Sequence, residues 1–262
     1  MNPDTDFQFK IYYESPYSEE EYKKYKKPKL LEWLGERKMD KYLSIVHDKS
    51  NSGITRMDIG LTNPTNKNMI DLFDLLEEEV PYFKKHRKEI MDFSLIKSNK
   101  LEGYDYAALY FIGYVSDKNS DIKLLKFHWL NKIREGYTDL FDNDYYISFI
   151  EKCGIEKFKK LLPYVKKALK NCDARMWMEG LDITELGAFK HKIYLSHMKK
   201  DTCNGLIKTF NNDVLTRKLK TVKTWEKVHP EFYFDGFAIG ENSNEEITLN
   251  LYFRLKEKLI TE

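Results

Sequence analysis

The chain alternates two textures, and the alternation leaves few folds open. Ser18 to Leu34, Met69 to Phe93, Tyr145 to Leu169 and Asn204 to His229 carry apolar residues three and four apart among dense lysine and glutamate, which predicts helices with one buried face. Between them lie aromatic and β-branched segments in pairs, each pair joined by a short polar turn, which predicts β-hairpins. Tyr104 to Val115 precedes Ile122 to Leu130, Arg175 to Ile183 precedes Phe189 to Ser196, and Phe232 to Ile239 precedes Ile247 to Leu255. A weaker pair runs from Lys41 to His47 into Ile54 to Leu61, and Lys10-Ile11-Tyr12 repeats Lys192-Ile193-Tyr194, so a further strand of this type is expected at the start. The expectation is a single α+β domain over residues 1–262, with repeat hairpins near 41–61, 104–130, 175–196 and 232–255.

Aligning the last three hairpins puts Gly113, Gly180 and Gly236 in one column, 67 and 56 residues apart. Lys126, Lys192 and Asn250 follow these glycines by 13, 12 and 14 residues, each in a second strand, and Arg56 takes the same place in the weaker copy.

Side chains alternate across a strand, so residues two apart share a face. One face of the second strands holds Arg56 and Asp58; Lys126 and His128; Lys190, Lys192 and Tyr194; Asn250, Tyr252 and Arg254. The other holds Met57, Ile59 and Leu61; Leu125, Phe127 and Trp129; Ile193 and Leu195; Leu249, Leu251 and Phe253, and must be covered by the helices. In an open sheet the polar face would meet solvent; in a closed barrel ringed by helices it would line a lumen. Large apolar groups beside the glycines, Phe111, Met178, Phe232 and Phe234, favour the lumen, because solvent does not reward them. A basic ring over such an interior suits a diphosphate held by charge-assisted hydrogen bonds above π faces that stabilise an allylic cation and exclude water.

With 44 Lys and Arg against 42 Asp and Glu, the net charge of +2 offers no bulk field for nucleic acid or an anionic membrane. The first thirty residues lack the apolar core of a signal peptide, and the longest apolar run, Tyr106 to Val115, is far short of a span. The three cysteines, Cys153, Cys172 and Cys203, have no C-x-x-C spacing. The chain is therefore expected to be cytoplasmic and monomeric, with neither nucleic acid nor membrane as partner. Phosphate-loop, dinucleotide, zinc-protease and hydrolase-elbow signatures are absent from the sequence, and its six histidines are scattered singly.

The pattern resembles the ABBA prenyltransferases, barrels of antiparallel hairpins surrounded by paired helices, and among them the cyanobactin-type enzymes that modify ribosomal peptides. Met178 to His197, MEGLDITELGAFKHKIYLSH, is similar to their hairpin with a basic alternating second strand. Phe234 to Lys258 resembles their closing hairpin, and Ser52 to Leu61, SGITRMDIGL, resembles the early strand whose arginine binds diphosphate, here Arg56. The likeness covers roughly residues 40 to 258. It implies a ten-stranded barrel, a dimethylallyl or geranyl diphosphate donor, Mg²⁺ held through the diphosphate, and transfer to an aromatic, hydroxyl or amine acceptor, often on a peptide. The chain is shorter than members of that family, which implies one reduced hairpin. It also departs from the family at Lys41 to Asp48, KYLSIVHD, which lacks the family's glutamate base.

The diphosphate cradle is thus expected at Arg56, Lys126, His128, Lys190, Lys192, Tyr194, Asn250, Tyr252 and Arg254, and the prenyl pocket at Phe111, Met178, Phe232 and Phe234. Asp182, two residues past Gly180 and on the same face as Met178, is the expected base; Asp58 is the alternative, but pairing with Arg56 would make it a poor one. Two rival readings stand. Ile54 to Leu61 also looks like a strand of rolling-circle replication initiators, although the His-hydrophobic-His metal pair of those enzymes is missing from the sequence. A non-catalytic lipid- or peptide-binding barrel would share the pocket but lack a base.

Overall fold

A computed structural model describes residues 6–11, 43–47, 55–60, 66–100, 109–116, 122–130, 133–135, 138–140, 143–153, 156–186, 189–196, 202–242 and 244–255. Its strands are β1 (Asp6–Ile11), β2 (Leu43–His47), β3 (Thr55–Gly60), β4 (Leu109–Ser116), β5 (Ile122–Leu130), β6 (Ile133–Glu135), β7 (Thr138–Leu140), β8 (Arg175–Thr184), β9 (Phe189–Ser196), β10 (Phe232–Glu241) and β11 (Ile247–Leu255). The short β6 and β7 pair only with each other, and the rest form a nine-stranded sheet in the order β1-β11-β10-β9-β8-β5-β4-β3-β2. The hairpins expected from the sequence are all present, as β2–β3, β4–β5, β8–β9 and β10–β11.

Every neighbouring pair in this sheet is antiparallel except β1–β11, which is parallel. The repeat explains the exception. β3, β5, β9 and β11 are second strands, and each is separated from the next by a first strand running the other way. β1 carries the second-strand pattern and lies directly against β11 with no first strand between, so the two must run in the same direction. Strands β1 and β2 end the ladder, and no pairing joins them among the described residues.

Each long amphipathic stretch is a pair of helices rather than one. Residues 66–100 fold as α1 (Asn66–Glu79), a 3₁₀ turn (Pro81–Lys85) and α2 (Arg87–Lys100), and Pro81 at the start of that turn explains the break. The second stretch divides into α3 (Asn143–Cys153) and α4 (Glu156–Cys172), the third into α5 (Thr202–Phe210) and α6 (Asp213–Val228). Between α5 and α6, Asn211 takes φ 47° and Asn212 caps α6, its side-chain oxygen accepting from the Leu215 amide at 3.0 Å. The expected helix at Ser18 to Leu34 lies outside the described residues.

These helices pack on one face of the sheet. In α4 the buried positions Phe158, Leu161, Leu162, Val165, Ala168 and Cys172 follow helical spacing and meet Leu181, Ile193, Phe237 and Leu249 in one core. Aromatic rings carry the core toward β5: Trp129 meets Phe93 edge-on at 4.9 Å, and Phe127 stacks on Phe83 at 5.6 Å. The buried indole of Trp129 donates to Ser94 Oγ at 2.8 Å, so its N–H is satisfied. Cys172 and Cys203 are buried packing residues, and burial pushes the Cys172 thiol up to about 12. His229 stacks on Trp225 at the end of α6.

Candidate functional site

The face of the sheet turned away from these helices carries the polar column expected from the sequence. Its rungs can be followed across the ladder. Asp58, Gly113, Lys126, Asp182 and Lys190 stand opposite one another in turn. Two residues along come Gly60, Phe111, His128, Gly180, Lys192, Gly240 and Thr248. The next rung holds Met178, Tyr194, Ala238, Asn250 and Gln8, and the one after it Ser196, Gly236, Tyr252 and Lys10. The repeat-equivalent residues Arg56, Lys126, Lys192 and Asn250 therefore share a face, but each lies one rung beyond the last, with Lys10 continuing the series. The alignment makes them a column; the stagger of neighbouring strands turns the column into a diagonal.

This face is not a solvated surface. Lys126 is 6% exposed, His128 4%, Asp182 4%, Lys192 8%, Tyr194 8% and Asn250 1%. Long cations are buried to this extent only when paired. Asp182 Oδ2 accepts from Lys126 Nζ and from Lys192 Nζ, each at 2.9 Å, which binds three strands into one charged cluster. Burial alone would push the Asp182 carboxyl up, but the two ammonium groups, by charge and by hydrogen bonding, hold it well below the usual carboxylate range.

The cluster changes the role open to Asp182. It shares the face with Met178 as expected, but the argument that discounts Asp58 beside Arg56 applies to it with two cations instead of one. A carboxylate held ionised so far below neutrality has little proton affinity and makes a weak base. Its geometry is that of an anchor, fixing both ammonium groups on the same side of the sheet. Asp182 Oδ1 is buried and accepts no hydrogen bond among the described residues.

One or two rungs away the surface turns aromatic. Tyr194 lies between His128 and Tyr252, with ring centroids 5.6 Å and 5.5 Å away, and its hydroxyl is 3.2 Å from His128 Nε2. Met178, Tyr194 and Ala238 form a second apolar cluster, separate from the helix-side core, with Trp177 and Tyr252 packed against it. Gly180 makes this possible. A Cβ there would come within 2.8 Å of the Tyr194 ring and 3.1 Å of the His128 ring, so the two side chains cross over bare backbone.

Two expected pocket residues are on the other side. Phe232 and Phe234 pack into the helix-side core, Phe234 edge-on to Phe253 at 5.2 Å and Phe232 against Trp225 at 5.5 Å. The cause is a β-bulge between Phe234 and Gly236, which leaves Asp235 as an extra residue and reverses the parity of everything before it. On the turn side of the bulge the register is unbroken, and Ala238, not Gly236, stands opposite Asn250. A glycine within a strand is a known sign of a bulge, so Gly236 carried the signal. A second bulge between Met176 and Met178 makes Trp177 the extra residue and lets it reach the site, and the sequence gives no mark of it. Glu179 is on the helix side as its parity requires, between Trp129 and Ile193.

Lys190, half-buried, stands opposite Asp182, and Tyr252 is half-buried. Arg56, Asp58, Phe111 and Arg254 have the ladder positions of this face, while their side chains lie outside the described residues. For the magnesium that the resemblance implies, the described residues gather no cluster of three or more acidic, His or Cys side chains, and Asp182 is already committed to two cations.

No protein-family model matches this chain, and no curated protein sequence does. Among the described residues no helix is long and apolar enough to cross a membrane.

Proposed function

We propose that this protein binds an allylic prenyl diphosphate on the non-helical face of its sheet and transfers the prenyl group to a nucleophilic side chain of a peptide or to an aromatic small molecule. The observation that carries the reading is the division of one buried face into a cationic half, Lys126–Asp182–Lys192, and an aromatic half, His128, Tyr194, Tyr252, Met178 and Trp177. A ligand with a charged head and an unsaturated apolar tail matches both halves. Lys190 and, by ladder position, Arg56 share the face beside this cluster and would add to the positive charge that a diphosphate needs. The tyrosine faces would stabilise positive charge at the allylic carbon as the diphosphate departs. Magnesium, brought by the donor, would neutralise the leaving group.

Closure of the sheet into a barrel belongs to the same proposal. Its support is the shielding of the polar face, the steady stagger of two residues per hairpin, and the directions of β1 and β2, which would meet antiparallel. In such a barrel the nine described strands would close with one parallel seam, between β1 and β11.

The test is ligand-dependent melting, because a ligand specific to the folded state stabilises by mass action. Dimethylallyl or geranyl diphosphate should raise the melting temperature and the corresponding alcohols should not. Arg56→Ala should weaken donor binding by about 1.5–3 kcal/mol, the range for hydrogen bonds to charged groups. Unchanged affinity in that variant and in Lys192→Ala would remove the cationic half from the donor site. A labelled prenyl diphosphate that binds but labels no aromatic or peptide acceptor would leave a ligand-binding barrel in place of a transferase.

A further inference from the structure

The geometry points to Tyr194 and His128 as the proton-accepting couple of this face, with Tyr194 meeting the acceptor and His128 positioned behind it to take the phenolic proton. The inference rests on the prenyl-transfer reading of the same site and supplies the base that reading lacks.

Alkylation of an O–H or N–H nucleophile releases a proton, and a water-excluding site must receive it. Asp182 is disqualified by its two ammonium partners. Histidine is the side chain whose ordinary pKa lies near neutrality, and among the described residues His128 is the histidine of this face, buried at 4% exposure. Its Nε2 lies 3.2 Å from Tyr194 Oη, within reach of a hydrogen bond in which the phenol donates and the imidazole, protonated at Nδ1, accepts. Tyr194 also sits where the two halves of the site join, two residues from Lys192 on β9 and in ring contact with Tyr252. A proton taken up there is received beside the place where the cation forms.

The step balances as follows. The carbon–oxygen bond of the donor breaks and its electron pair leaves with the diphosphate. The acceptor's lone pair forms the new bond to the allylic carbon, and the acceptor's proton passes to Tyr194 Oη while the phenolic proton passes to His128 Nε2. The couple ends as neutral phenol and imidazolium, and solvent restores it after product leaves. Gly180 is the structural condition for this relay, since a side chain at that position would drive the two rings apart. The charged and titratable groups facing His128 are Lys126 on its own strand, Asp182 on β8, Lys192 and Tyr194 on β9, Tyr252 on β11 and, by ladder position, Asp58 on β3.

Single-turnover transfer from a labelled prenyl diphosphate to an aromatic acceptor, followed across pH 5 to 9, tests the couple. His128→Gln keeps a hydrogen-bonding oxygen near Tyr194 but cannot take a proton. At saturating donor it should slow transfer about 100-fold, the lower end for loss of a general base, and abolish the rising limb of the pH–rate profile. Free prenyl alcohol should rise relative to product, because the cation still forms. Tyr194→Phe should slow transfer similarly. A His128→Gln protein that keeps the wild-type rising limb, or its rate, overturns the couple. The ¹⁵N shifts of the His128 ring in the wild type read the tautomer without any turnover, and a neutral ring protonated at Nε2 overturns it as well. Wild-type protein that binds no prenyl diphosphate would overturn the prenyl-transfer reading and the couple with it; wild-type transfer with unaltered variants overturns the couple alone.

Discussion

Asp182→Asn removes the charge that holds Lys126 and Lys192 together, and the structure sets the scale of the loss. The carboxylate accepts two charge-assisted hydrogen bonds of 2.9 Å in a cluster whose members are 4–8% exposed. An asparagine can accept one of them at its carbonyl, but its amide N–H groups cannot accept the other, and both ammonium groups lose the carboxylate's charge out of water. Removing one partner of a buried ionic group costs about 3–5 kcal/mol, chiefly through the uncompensated charge that remains. For a chain of this size that corresponds to a fall in Tm of roughly 6–20 °C. The sign of the pH dependence follows from the direction of the pKa. Asp182 ionises more easily folded than unfolded, so it contributes stability above the unfolded carboxyl value of about 3.9, and that stability is lost as pH falls through the lower folded value. The gap between wild type and variant, measured by urea denaturation, should be widest near pH 7 and narrow below about pH 4. Adding Lys126→Met to the variant should recover part of the loss, because it removes one of the stranded cations. A loss under about 1 kcal/mol at pH 7, or a gap that stays constant into acid, would refute the claim that this cluster is buried and interdependent.

Phe234→Leu should cost about 1–1.5 kcal/mol in urea denaturation, as a near volume-conserving core change, and leave donor affinity and alcohol release untouched, because the ring packs against Phe253 on the helix side; altered prenyl alcohol release would return Phe234 to the pocket. Gly205→Ala should destabilise by about 1–3 kcal/mol despite alanine's better helix propensity, since its Cβ would lie 2.5 Å from the Asn171 carbonyl oxygen and force α4 and α5 apart; a stability equal to or above wild type would show that the two helices can part freely.

Much of this arrangement was legible in the residues alone, and the division is instructive. Alternation assigned Leu125, Phe127, Trp129, Ile193, Leu195, Leu249, Leu251 and Phe253 to the helix side and Lys126, His128, Lys192, Tyr194 and Asn250 to the other, because the two-residue period of a strand is a local property. Repetition likewise revealed the hairpins and the affinity of β1 for their second strands. Three matters needed the fold. The bulges before Gly236 and Met178 moved Phe234 out of the site and Trp177 into it, since one extra residue reverses parity and local periodicity is blind to where pairing slips. The parallel contact of β1 with β11 depends on which strand edge β1 joins, and no local pattern records that. The ionisation of Asp182 is the third. Lys126 is 56 residues from it in sequence, and only the pairing of β5 with β8 and of β8 with β9 brings two cations to one oxygen and makes an expected base into an anchor. Sequence fixes what each strand shows to either side, while the proton affinity of a buried group is set by neighbours that only the assembled sheet supplies.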